Sequence, residues 1–178
     1  EVEVKSELTD VEIPDVIDKK AVKAPRLALN VTNSGMKLSG DIELDGIPAK
    51  LVWNENFTDK KYKSRYNISF KLDDDIKKKL GISFDAINAP YISGYILVDA
   101  EITSFDDNRL QIDINGNLAN AAVDYSFLGL RKYLNQPGRM NVRLNFKDGR
   151  LTDIPSLSIT KHDFSLKGKI GLNKEGNV

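Results

Sequence analysis

The sequence has no cysteine, one histidine and one tryptophan among its 178 residues. Without thiols there is no disulfide, no thiolate nucleophile, no iron–sulfur cluster and no cysteine-rich zinc site. A histidine-based metal centre fails for lack of ligands. A catalytic base would have to be His162, which sits between Lys161 and Asp163 just before an alternating stretch and reads as an exposed turn residue. No glycine-rich phosphate loop and no dinucleotide fingerprint occurs. Carboxylates such as Asp99 and Glu101 fall on the polar side of a strand pattern, where solvent is the default neighbour. The sequence therefore argues against an enzyme and implies no catalytic residue, no metal and no cofactor. Charge of one sign is missing too, since 26 Lys and Arg balance 26 Asp and Glu. Nucleic-acid binding needs a basic surplus to displace counterions, so no such partner is expected. Nor is there a run of about 18 apolar residues, the length a membrane-crossing helix requires. The chain opens on Glu1 with neither an initiator methionine nor a signal peptide. The expectation is a piece of a longer protein whose anchor or targeting segment lies elsewhere.

What the sequence does have is period-2 alternation, the mark of strands with one buried face. Met36, Leu38, Ile42 and Leu44 alternate with Lys37, Ser39, Asp41 and Glu43, and after Asp45-Gly46 the pattern resumes at Ile47, Ala49, Leu51 and Trp53. It returns at Tyr66, Ile68, Phe70 and Leu72, at Ile96, Val98, Ala100 and Ile102, and at Leu110, Ile112 and Ile114. Val123, Tyr125 and Phe127 repeat it, as do Val142, Leu144 and Phe146, then Leu157 with Ile159, and finally Phe164, Leu166, Ile170 and Leu172. Asp45-Gly46 and Asp148-Gly149 are favoured pairs for tight hairpin turns, because both positions tolerate positive φ. Residues 1–26 differ: weak alternation at Val2, Val4 and Leu8 gives way to an acidic stretch carrying Pro14. An N-terminal arm or edge strand with a linker is expected there, followed by one β domain over residues 27–178. One short helix is expected at residues 73–81, where Asp73-Asp74-Asp75 leads into Ile76-Lys77-Lys78-Lys79-Leu80 and Gly81 sits at the C-cap. The triple aspartate is read as a helix cap rather than a metal site. A second helical stretch is expected near Leu128 to Leu134. The fold class that follows is mainly β: a curved antiparallel sheet, groove or partly open sandwich, with one short α-helix.

An amphipathic sheet has to cover its apolar face. Helices are too scarce here to do it, so the sheet either folds on itself or leaves part of that face for a ligand. Particular residues bear on the choice. Residues 38–57 (LSGDIELDGIPAKLVWNENF) resemble the domain shared by large AsmA-like envelope proteins of Gram-negative bacteria, in particular the YhdP branch. Gly46, Pro48, Leu51, Trp53, Glu55 and Phe57 match its G-x-P-x-x-L-x-W-x-E-x-F stretch. Arg65-Tyr66, Leu80-Gly81, Pro90 to Gly94, Leu118 to Val123 and Asn145 to Leu151 continue the likeness in order. Gly129, Lys132, Pro137 and Gly138 resemble its G-W-x-K-x-P-G element, although Leu130 replaces the aromatic and extra residues precede Pro137. The resemblance covers roughly residues 27–172.

It implies a periplasmic protein anchored in the inner membrane by an N-terminal helix. Its curved sheets would form an apolar groove that conducts phospholipid between inner and outer membranes. The implied partners are phospholipid acyl chains and neighbouring segments of the same longer chain, with membrane contact through parts outside this one. The family has no catalytic residues to carry over, only the apolar register. On that reading Leu38, Ile42, Leu44, Leu51, Trp53, Ile68, Phe70, Ile96, Val98, Ile112, Ile114, Leu144 and Phe146 line an acyl-chain path. For each of them ordinary core is the competing role. A closed β-sandwich, acting as a scaffold or interaction module without lipid, is the alternative for the whole chain.

Overall fold

The computed structural model describes residues 2–17, 20–58, 61–82 and 88–171. Leu172, the last position of the apolar register, lies outside them. Strands take 72% of the described residues. The first five form a meander: β1 (Glu3–Ile17), β2 (Lys20–Thr32), β3 (Gly35–Leu44), β4 (Ile47–Asn56) and β5 (Ser64–Leu72). Helix α1 (Asp74–Lys79) and β6 (Ile92–Gly94) precede β7 (Ile96–Ser104) and β8 (Arg109–Asn117). A second excursion holds β9 (Ala121–Tyr125), a 3-10 turn at Ser126–Leu128 and β10 (Leu130–Lys132). The chain then returns through β11 (Gly138–Lys147), β12 (Arg150–Lys161) and β13 (Phe164–Gly171).

Ten strands make one open sheet in the order β1-β2-β3-β4-β5-β7-β8-β11-β12-β13, while β10, β9 and β6 form a separate three-stranded sheet. Every neighbouring pair in the large sheet is antiparallel. The fold is therefore the mainly β, antiparallel sheet with one short helix that the alternation indicates. No helix among the described residues is long and apolar enough to cross a membrane.

The local chemistry explains the elements. Asp45 and Gly46 have φ of 50° and 76°, and Asp148 and Gly149 have φ of 50° and 76°. Both two-residue loops thus take the doubly positive-φ turn whose twist suits a hairpin. Asp73 caps α1, its Oδ1 accepting the Ile76 amide at 3.1 Å, and Lys71 Nζ lies 3.0 Å from its Oδ2. Asp74 pairs with Lys77, and Asp75 with Lys78, one helical turn on. The Ile76 amide, and after it Lys71, holds the Asp73 carboxyl below the ordinary carboxylate range. A lowered carboxylate pKa contributes stability above its unfolded value and loses it as pH falls through the folded one. Between about pH 5 and pH 3 the melting temperature of the native chain is expected to fall more steeply than that of Asp73→Asn. Parallel melting curves would remove the cap from the acid response.

The structure corrects the sequence reading at residues 128–134. They hold no α-helix: Leu128 ends the 3-10 turn, Gly129 takes a left-handed φ of 75°, and Leu130 to Lys132 pair with β9. Residues 3–17 enter the large sheet as β1, its edge strand, and residues 20–26 as the first part of β2. Position 26 lies inside β2, and Val22 and Ala24 are core residues.

Candidate functional site: an apolar sheet face covered at one end

Directly opposed residues of an antiparallel pair share a face. Register partners carry one row across the sheet through Leu38, Trp53, Tyr66, Ile102, Ile112 and Leu144. A second row runs through Gly40, Leu51, Ile68, Ala100, Ile114, Val142 and Leu157. A third runs through Ile42, Ala49, Phe70, Val98, Gly116, Met140, Ile159 and Leu166. Leu44 opposes Ile47, Ile96 opposes Leu72 and Phe146 opposes Leu110, extending the same face. All the candidate lining residues lie on one face, and no charged side chain interrupts these three rows. The other face is polar in the same register, through Lys50, Ser69, Asp99, Asn115, Asn141 and Ser158.

Burial divides the candidates. Leu38, Ile42, Leu44, Leu51, Ile68, Ile96 and Val98 are buried, Leu51 to 1% exposure. Trp53, Phe70, Ile112, Ile114, Leu144 and Phe146 are half-buried. Around Leu51 the packed cluster comes entirely from strands of the large sheet, with Leu27 at 0% and Leu38 at 3%. A flat sheet face cannot hide side chains from water behind their own neighbours. Burial this deep requires the strands to bend toward the apolar side, and bulges provide the bends. The register slips between Lys23 and Ala28 where β2 meets β3, and between Arg143 and Asn145 where β11 meets β12.

One end of the face has a separate cover. Leu72 opposes Ile96, Leu97 opposes Asn117 and Asn117 opposes Arg139, so both excursions leave the large sheet from that end. There Leu72, Ile96 and Val98 pack with Ile92, Leu118, Ala121, Val123 and Leu130, and with Ile76 of α1 and Leu80 just after it. Gly94 sits where β6 meets β9. Its φ is 90°, and a Cβ there would lie 2.4 Å from the Asn120 carbonyl oxygen. Gly94→Ala is expected to cost roughly 1–3 kcal/mol in urea unfolding; a change below about 0.5 kcal/mol would contradict the close approach. Within the cover, Lys132 is 2% exposed and donates through Nζ to the Ala121 and Tyr133 carbonyls at 2.6 and 3.1 Å. Burial pushes its ammonium pKa down.

Toward the other end the floor is Trp53, Tyr66, Ile102, Ile112, Leu144 and Phe146, all half-buried. The Trp53 and Tyr66 rings lie 5.3 Å apart, and the Trp53 indole donates to Glu55 at 2.9 Å. Burial pushes the Tyr66 phenol up. Apart from the Tyr66 hydroxyl and the Trp53 indole N–H, which Glu55 engages, the side chains of this floor are apolar. It suits a flexible apolar chain that needs dry contact without directional bonds. A shallow depression of ≈ 540 Å³ exists on the opposite, polar face, but its walls are already engaged. Ser69 donates to Asp99 at 2.5 Å, Asn67 to Glu101 at 3.1 Å and Arg143 to Asp113 at 2.5 Å.

Tyr66, Ile102 and Val142 share the floor although they were not among the expected lining residues; their parity in the alternation carried the signal. Asp73 is engaged as a cap, and His162 lies in the exposed turn between β12 and β13. No family model matches the chain, and neither a curated protein nor a solved structure matches it.

Proposed function

We propose that this chain is a segment of an AsmA-like, YhdP-type envelope protein whose apolar sheet face holds and passes phospholipid acyl chains. The observation that carries the reading is the unbroken apolar row from Leu38 through Trp53, Tyr66, Ile102 and Ile112 to Leu144, only partly covered along Trp53 to Leu144. Each of these partly exposed aliphatic and aromatic side chains forgoes a fraction of the roughly 1.5–3 kcal/mol that full burial contributes. An acyl chain laid along them would recover part of that. The buried members of the set, Leu51 among them, act as core beneath the path, and the half-buried members touch the lipid.

The topology supports continuation into neighbouring segments. Ten strands alternate strictly in direction, so β1 and β13 run oppositely. A following segment that began like β1 would pair antiparallel with β13 and keep its apolar face on the same side. The β13 edge carries Lys167 and Lys169, whereas β1 carries Glu3, Glu7 and Glu12. In this setting the site is periplasmic and non-enzymatic, and its anchor is supplied by other parts of the protein. The alternation itself provides the test. A photocrosslinking residue at Ile112 or Ile114 is expected to capture phospholipid, and one at Asp113 or Asn115 is not. Equal capture at all four positions, or at none, would leave the apolar face without a lipid role.

A further inference from the structure

Away from the cover, the three apolar rows end on a fourth row of different character. Register partners carry it through Met36, Glu55, Ser64, Ser104, Leu110 and Phe146. Each lies two residues along its strand from a member of the Trp53 row, so the fourth row is on the same face. Across β3, β4, β5, β7, β8 and β11, Glu55 is the only charged side chain on that face. The carboxylate is half-buried and held in place, with the Trp53 indole donating to its Oε2 at 2.9 Å. Its charge also bears on the Tyr66 phenol, which hydrogen-bonds to the Ser64 side chain. The Trp53 and Tyr66 rings are tilted by 32° to one another. Among the described residues no cationic side chain pairs with Glu55, and none lies over either ring.

Resting on the acyl-chain reading above, we infer that this row holds the lipid headgroup and that Glu55 selects a primary ammonium, the group phosphatidylethanolamine carries. The tails then run from Trp53 toward the cover, whose packed cluster closes the far end of the face. A carboxylate has about four lone-pair sites, and the indole takes one, so acceptors remain for the N–H groups of an ammonium. Hydrogen bonds between two charged groups are the strong ones. Aromatic rings beside the carboxylate add to the attraction, because a ring face draws a cation. The alternatives fit less well. A quaternary ammonium has no N–H to give, and a phosphatidylglycerol headgroup brings only negative charge and neutral hydroxyls. A lone carboxylate on an otherwise apolar face therefore sorts headgroups by charge, while the floor holds tails without regard to it.

The test offers the 178-residue chain vesicles equimolar in phosphatidylethanolamine and phosphatidylglycerol, re-isolates it and quantifies both lipids in its organic extract. The native chain is expected to carry roughly fivefold more phosphatidylethanolamine than phosphatidylglycerol. Glu55→Gln still accepts the indole N–H but lacks the charge, and its ratio is expected to fall to near one. Glu55→Lys is expected to invert the ratio. Glu43→Gln removes an exposed carboxylate from the polar face of β3 and should keep the native ratio. Equal amounts of the two lipids on the native chain, or an enrichment that Glu55→Gln retains, would overturn the headgroup assignment and leave the acyl-chain path standing. A native chain that takes up neither lipid would overturn both.

Discussion

Ile112→Lys/Leu144→Glu is expected to lose bound phospholipid at least tenfold while the chain stays folded. Ile112 and Leu144 are register partners on β8 and β11, half-buried on the apolar face. Opposite charges placed on directly opposed positions support strand pairing by about 0.2–1 kcal/mol, so the sheet survives the change. The floor does not stay dry. An acyl chain crossing this row would have to desolvate an ion pair, which costs several kcal/mol when its hydrogen bonds to water are lost. The comparison is phospholipid occupancy by extraction, set beside a melting temperature that moves by no more than about 5 °C. A folded variant with its lipid complement intact would exclude this face as the path.

The second large effect is on stability. Leu51→Ala is expected to cost roughly 2–5 kcal/mol in urea unfolding, from lost transfer energy plus the cavity left behind. Leu51 is 1% exposed, opposed by Ile68 on β5, in a cluster formed by the bent sheet alone. Leu97, on the polar face of β7 and 43% exposed, provides the contrast. Leu97→Ala should stay within about 0.5 kcal/mol of the native chain. If Leu51→Ala cost as little, the strands around it would be open to water and the sheet would not be bent there.

The fold class was legible because period-2 alternation reports which side chains share a face, and the Asp-Gly turns mark where strands reverse. The helix was legible from the Asp73 cap and the lysines that follow it. Strand order was harder. β5 pairs with β7 across α1 and β6, and β8 with β11 across β9 and β10; local spacing does not encode partners so far along the chain. The stretch from Leu128 to Leu134 shows the limit in small. Leu130 and Leu134 have helical spacing, yet the left-handed Gly129 and pairing of β10 with β9 decide for a strand. The candidate site was half legible. Parity put Leu51 and Ile112 on the same face, but parity does not say what covers each residue, and that separates core from floor. The cover itself left little trace, since Ile92 and Leu130 sit on three-residue strands and Leu118 in the connection between β8 and β9, with no long periodic run.

The most direct measurement is native mass spectrometry of the gently purified chain, with organic extraction of whatever it carries. The account predicts phospholipid at near-stoichiometric amounts, retained at neutral pH and displaced by added phospholipid. A clean apo mass that takes up none would contradict it. The sheet would then be a scaffold whose apolar face is closed by its own strands.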